Sequence, residues 1–98
     1  MPGYIIALIT VRDQAEYDAY RAAVGPVVAR HGGRFLVRGA AFEVAEGEIA
    51  PDRLVVLEFP SLAAAQGFYR SEAYAPLLRQ RAGATTSRVF IAEGAPPA

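Results

Sequence analysis

The chain has 98 residues, of which 53% are apolar and 20% are charged, and ten basic side chains balance ten acidic ones. This length and composition indicate one globular domain over residues 1–98 with a single hydrophobic core. The neutral balance and a sequence pI of about 6.6 argue against a surface for nucleic acid or anionic membranes. The apolar run near the N-terminus is too short to span a membrane, and we therefore expect a soluble, cytoplasmic protein.

Several side-chain types that common chemistries require are missing from the sequence. All ten basic residues are arginine, and the chain has one histidine and no cysteine. It therefore offers no lysine for a Schiff base and no thiol nucleophile. No HExxH, CxxC, EF-hand or glycine-rich phosphate-loop spacing occurs, so we expect neither a metal site nor a cofactor.

The first predicted elements are a central strand and an amphipathic helix. Residues 4–11 are apolar and β-branched on both alternating faces, which is typical of a central strand. Asp13 and Glu16 form a capping-box pattern that predicts the start of a helix. The buried side of this helix is predicted to contain Tyr17, Tyr20, Val24, Val27 or Val28, and His31. Gly25 and Pro26 predict a kink or two short helices, because proline lacks the amide proton.

Two strands are predicted after the glycines that end this helix, Gly32 and Gly33. Residues 34–46 predict a strand with a bulge at Gly39, where the alternation slips. A polar turn that contains proline follows, and residues 53–59 predict a second central strand.

The last predicted elements are helical segments and a strand. Ser61 predicts the cap of a helix that ends at about Tyr69, and Ser71 the cap of a shorter segment that ends near Arg81. Residues 85–93 predict the last strand. The order strand, helix, strand, strand, helix, strand is the ferredoxin-like arrangement, an α+β fold with a four-stranded antiparallel sheet. Right-handed crossovers place two helices on one face of this sheet.

The uncovered face of the predicted sheet is as apolar as the face under the helices. One parity of the central strands contains Ile5, Ile9, Val55 and Leu57, and the other contains Ile6, Leu8, Leu54 and Val56. Exposing about half a dozen such side chains would cost on the order of 10 kcal/mol, which is comparable with the stability of a whole domain. A second copy of the chain is the simplest cover, so the sequence predicts a homodimer through the sheet face.

Several segments resemble one known family. The stretches GGRFLVRG, RLVVLEFPS and FYRSEAY, with a terminal strand that leads to AEG, are similar in order and spacing to the DUF1330 family of dimeric α+β barrels. The similarity extends over residues 4–94, and it implies a dimeric α+β barrel. Ala40 stands where the family often has a second glycine, and Phe68 where it often has tryptophan. Arg81 and Ser87 are similar to recurring positions, but the resemblance implies no established function.

Two charged residues lie inside apolar predicted strands. Arg38 is predicted to point into a cavity, where a guanidinium holds a carboxylate bidentately. The alternative is that Arg38 reaches solvent from the end of its strand. Glu58 predicts either a structural ion pair with an arginine or a group for acid/base chemistry.

A histidine and three tyrosines complete the candidate ligand site. His31 is the only imidazole, and it predicts either a base or a favourable charge at the C-terminus of the first helix. Tyr20, Tyr69 and Tyr74 are expected either to pack on the sheet or to reach a cleft with their hydroxyls.

Three functions are consistent with these residues. The first is the binding of a small polar or acidic molecule in a cavity near Arg38, and the sequence favours it. The second is a cofactor-independent enzyme, monooxygenase-like or isomerase-like by fold analogy, in which Glu58, His31 or a tyrosine is the base. The third is a structural or assembly dimer without a ligand. A cavity that contains Arg38 with Tyr69 or Tyr74 would favour the first two functions over the third.

Overall fold

A computed structural model describes residues 1–97 as four strands and three helices. The elements in chain order are β1 (Gly3–Val11), α1 (Gln14–Arg30), β2 (Arg34–Gly39), β3 (Arg53–Phe59), α2 (Leu62–Tyr69), α3 (Ala75–Ala84) and β4 (Thr85–Glu93). The strands form one sheet in the order β2-β3-β1-β4, and every neighbouring pair is antiparallel. The predicted ferredoxin-like fold is confirmed. The short helical segment predicted after Ser71 is the separate helix α3, which ends at Ala84, so the second crossover contains two helices.

The two faces of the sheet differ in what covers them. Odd-numbered residues of the central strands, such as Ile5, Ile9 and Leu57, are buried in one cluster with side chains of α1 and α2. Even-numbered residues point to the opposite side, which no described helix covers. We call this side the open face, and its apolar members include Ile6, Leu8, Val37, Leu54, Val56 and Phe90.

Within residues 1–97, every helix is too short or too polar to cross a membrane.

Helix α1 begins and buries its side chains as predicted. Asp13 is its N-cap, and the Oδ1 atom of this residue accepts a hydrogen bond of 3.1 Å from the Glu16 amide. The buried residues of the helix are Tyr17, Tyr20, Val24, Val27 and Val28. The predicted division into two short helices was wrong, because α1 continues through Pro26. Proline removes only one hydrogen bond, and burial of the neighbouring valines holds the helix together.

We expect Asp13→Ala to lower the free energy of unfolding by about 0.5–2 kcal/mol, because the Glu16 amide would lose its acceptor. Urea denaturation measures this change. Asp18→Ala is the matched control, since the Asp18 carboxylate accepts only an exposed side-chain bond from Gln14 on the same helix. Equal destabilisation by the two substitutions would contradict the capping role.

Strand β2 is shorter than predicted, and its bulge lies elsewhere. The strand ends at Gly39 rather than at residue 46, and residues 40–52 connect it to β3 without a helix or strand. The pairing shifts between Phe35 and Val37, so the bulge is at Leu36 and not at Gly39. Beyond this extra residue Arg38 pairs with Val55, whose side chain points toward the helices. The bulge therefore turns Arg38 away from the open face.

Candidate functional site

A cleft lies between the helix side of the sheet and the three helices. Its walls are apolar residues of the central strands and of α1, together with aromatic residues of α2 and the side chains of three arginines. The space open to the centres of water molecules is about 40 Å³. We call this space the inner cleft. It has room for a few water molecules or one small group, and not for a drug-sized ligand.

A larger groove adjoins the inner cleft between α3 and β4. Tyr69, Arg81 and Val89 line both spaces, which therefore meet at these side chains. We call the second space the outer groove. It has a volume of about 430 Å³, and Thr85 and Ser87 add hydroxyl groups to its wall. The outer groove is the larger of the two spaces, and Arg81 lies at its junction with the inner cleft.

Arg81 is a buried cation without an acidic partner. It is 5% exposed, and its Nε atom donates to the Tyr74 hydroxyl at 3.4 Å. Among residues 1–97 the one salt bridge joins Arg34 to Glu58, so no carboxylate neutralises Arg81. Tyr74 and Arg81 are two helical turns apart, which places both side chains on the same side of this segment. A buried guanidinium remains charged and is stabilised by an anion.

Tyr20 and Tyr74 form a buried hydroxyl pair beside Arg81. Their oxygens are 2.9 Å apart, and the Tyr74 ring also packs against Phe68 and Tyr69. Burial, followed by the proximity of Tyr74, raises the pKa of Tyr20 well above its usual value of 10.0. Tyr20 therefore keeps its proton well into the alkaline range, and either hydroxyl can be the donor in the bond between the two tyrosines.

Arg38 lies on the rim of the inner cleft. Its guanidinium stacks on the Phe35 ring at 4.1 Å, and its Nη2 atom donates to the backbone oxygen of Arg21 at 2.7 Å. The residue lines the inner cleft and is also exposed to solvent. Arg38 thus combines both placements that the sequence left open, and it adds a second positive charge to the cleft.

The structure brings some of the predicted residues together and separates others. Arg38, Tyr20, Tyr69 and Tyr74 line the inner cleft. Glu58 and His31 do not line it. Arg81 also lines the inner cleft, although it is not among the residues that the sequence predicts for the ligand site. The seven-residue spacing from Tyr74 is a signal for a shared helix side, but it does not reveal burial.

Glu58 and His31 have structural partners outside the cleft. Glu58 is on the open face, where its carboxylate accepts hydrogen bonds from Arg34 at 2.9 Å and from the Tyr4 hydroxyl at 3.2 Å. His31 follows the last residue of α1, and its Nδ1 atom donates to the backbone oxygen of Val27 at 2.9 Å. The imidazole packs edge-on against Phe68. Neither side chain reaches the inner cleft or the outer groove.

The arrangement supplies positive charge and hydrogen-bond donors to an apolar cleft. Arg21, Arg38 and Arg81 line the inner cleft, and the described walls of both spaces contain no carboxylate and no imidazole. Among residues 1–97 no group of three acidic, histidine or cysteine residues is placed to hold a metal ion. The site is therefore suited to an anion with an apolar part.

We expect the free energy of unfolding to fall as the pH rises above about 10, because unfolded tyrosines then lose their protons while buried Tyr20 keeps its own. One such group contributes a slope of about 1.4 kcal/mol per pH unit. Tyr20→Phe removes this contribution, and urea denaturation at a series of pH values measures it. Burial also raises the pKa of Tyr17, so part of the slope remains in the variant. An unchanged slope would contradict the placement of Tyr20.

Solved structures with the same fold are found over nearly the whole chain. RPA0582 from Rhodopseudomonas palustris, a protein of unknown function, is 25% identical with a TM-score of 0.79, over 98% of this chain and 84% of that chain. SnoaB from Streptomyces nogalater, a cofactor-independent oxygenase, is 16% identical with a TM-score of 0.66, over 98% and 95% of the two chains. Rv0793 from Mycobacterium tuberculosis is 21% identical with a TM-score of 0.60, over 100% and 99%.

The likeness to SnoaB and Rv0793 shows the fold, which agrees with the ferredoxin-like topology of the sheet. No curated protein matches the sequence. The family model of a domain of unknown function, DUF1330, matches residues 2–95. The chain thus belongs to the DUF1330 family.

Proposed function

We propose that the protein binds a small carboxylic acid in the outer groove, with Arg81 as the buried anchor. The observation that carries this proposal is the burial of Arg81, at 5% exposure, without a carboxylate partner among residues 1–97. Leaving a charge in such a place is costly, and a ligand carboxylate offsets the cost with two charge-assisted hydrogen bonds. If the position had only a structural role, an apolar side chain would stabilise the core at least as well as a buried guanidinium.

Arg38 and the tyrosines act as secondary contacts in this proposal. The Arg38 guanidinium is at the rim of the inner cleft, where it attracts an anion during entry. The Tyr20 and Tyr74 hydroxyls orient the Arg81 side chain through the 3.4 Å contact from Nε to Tyr74. The inner cleft, at about 40 Å³, admits only a small apolar substituent of the ligand.

Binding is favoured over catalysis because of the groups in the walls. A cofactor-independent oxygenase would need a base to remove a proton from its substrate, and the described walls contain no carboxylate and no imidazole. SnoaB, at 16% identity, supports only the fold for this chain. If the protein is instead an enzyme with a tyrosine as its base, it should convert the bound acid into a product.

The homodimer is a second part of the proposal. The apolar open face has no cover within residues 1–97, and Val37 and Phe90 are exposed on it. A second copy placed face to face would bury these side chains and form a barrel of two sheets, with more than about 2,000 Å² of total surface buried.

A cytoplasmic location stays a prediction from the composition.

The binding proposal is tested by thermal unfolding of the purified protein in sodium acetate, propionate and benzoate, each compared with sodium chloride at equal ionic strength. A carboxylate that binds the native state raises the unfolding temperature in proportion to the logarithm of its concentration. Equal unfolding temperatures in all four salts up to high millimolar concentration would reject the proposal and leave a dimer without a ligand.

A further inference from the structure

The hydroxyl groups of Thr85 and Ser87 form a short chain in the wall of the outer groove. The Thr85 hydroxyl donates to the backbone oxygen of Arg81 at 2.7 Å, and its oxygen also lies 2.7 Å from the Ser87 hydroxyl oxygen. Thr85 is 3% exposed, whereas Ser87 is half-buried and lines the groove. Ser87 is therefore the member of the chain that a ligand can reach.

The single proton of Thr85 is already committed. Arg81 is in the last turn of α3, where backbone oxygens lack a partner within the helix. The Thr85 hydroxyl provides that partner in a buried place, where an unpaired carbonyl would be costly. Thr85 therefore has no second proton to give, and in the contact between the two hydroxyls Ser87 must be the donor.

The number of hydroxyl protons also determines which hydrogen-bonding groups of Ser87 are available to a ligand in the groove. Its one proton points to Thr85, so only the lone pairs of its oxygen remain for a ligand. A ligand group beside Ser87 must then be a donor, such as a hydroxyl. A carbonyl oxygen at that place would face another acceptor.

We propose that the ligand is a hydroxy acid, whose carboxylate binds Arg81 and whose hydroxyl donates to Ser87. This inference rests on the proposed function, because it assumes that the Arg81 guanidinium holds the carboxylate. Both residues line the outer groove. Thr85 contacts both of them, through the backbone oxygen of Arg81 and through the side-chain hydroxyl of Ser87. Ser87 is thus a specificity-determining residue that separates hydroxy acids from oxo acids and from unsubstituted acids.

The test is titration calorimetry with acids of matched length. Lactate is compared with propionate and pyruvate, and 2-hydroxybutyrate and 3-hydroxybutyrate with butyrate and 2-oxobutyrate. We expect a hydroxy acid to bind about two- to tenfold more tightly than the unsubstituted acid, which lacks the added hydrogen bond. The oxo acid should bind more weakly than the hydroxy acid by at least about tenfold, because its carbonyl meets the Ser87 lone pairs. Preference for either hydroxyl position supports the inference.

Two substitutions separate the contribution of Ser87 from that of the anchor. Ser87→Ala should make lactate and propionate bind equally while propionate binding is unchanged. Thr85→Val releases the Ser87 proton, so the preference should move from lactate toward pyruvate. Thr86→Val, on the other face of β4, is the matched control and should keep the wild-type order. If Thr85→Val does not fold, Ser87→Ala still decides the question.

The two proposals fail in different ways. Equal binding of lactate, propionate and pyruvate by the wild-type protein, or a preference that survives in Ser87→Ala, would overturn the inference and leave carboxylate binding intact. Failure of every acid to bind would reject the proposed function itself, and with it the hydroxy-acid selectivity.

Discussion

Replacing Arg81 with methionine is expected to weaken carboxylate binding strongly while the fold remains at least as stable as that of the wild type. Methionine keeps most of the length of the side chain and removes the charge. The burial of Arg81 without an acidic partner means that its guanidinium destabilises the empty protein, so an apolar replacement is neutral or stabilising. The anion loses its bidentate partner, and the dissociation constant should rise on the order of a hundredfold.

The matched control is Arg79→Met, on the exposed side of the same helix. It removes one positive charge from α3 and should change carboxylate affinity by less than about twofold, because exposed charges are screened by salt. Arg81→Lys should restore part of the affinity, since an ammonium group lacks the planar fork of a guanidinium. Arg38→Met should weaken binding only several-fold, because that guanidinium is exposed.

Calorimetric titration and thermal unfolding of these variants provide the measurement. Loss of carboxylate binding in Arg81→Met with an unchanged or higher unfolding temperature in chloride is the expected pair of results. Full carboxylate affinity in Arg81→Met would place the ligand elsewhere. A large loss of stability without ligand would show that the buried charge has a structural role in the tyrosine cluster.

Replacing Phe90 with glutamate is expected to dissociate the homodimer without unfolding the single chain. Phe90 is 52% exposed on the open face, so a carboxylate there stays in contact with water in the monomer. In a face-to-face dimer the same carboxylate would be buried without a partner, and twofold symmetry would introduce it twice. The dissociation constant of the dimer should therefore rise on the order of a hundredfold.

Light scattering at micromolar concentration distinguishes the two states. The wild type should have twice the chain mass of 10.5 kDa, and Phe90→Glu should move toward a single chain. Val44→Glu is the control, because Val44 is similarly exposed, at 45%, but belongs to the connection between β2 and β3 and not to a strand of the sheet. A wild-type protein that scatters as a folded monomer would contradict the dimer and require another cover for the open face.

The sequence by itself determined the order and the caps of most elements. Apolar alternation in β1 and β3 and the caps at Asp13 and Ser61 depend on neighbours within a few residues, and the structure confirms them. The seven elements follow from such local patterns, and short right-handed connections then allow few topologies. The fold class could be predicted for that reason.

The tertiary structure alone decided which side chains share the site. One extra residue in β2, at Leu36, reverses the side on which Arg38 lies, and a bulge one or two residues away is equally compatible with the local sequence. The separation of Glu58 from the cleft follows from its register with Arg34 across two strands. The burial of Arg81 arises only where α3 closes over β4 beside Tyr74, because exposure depends on residues far apart in the chain.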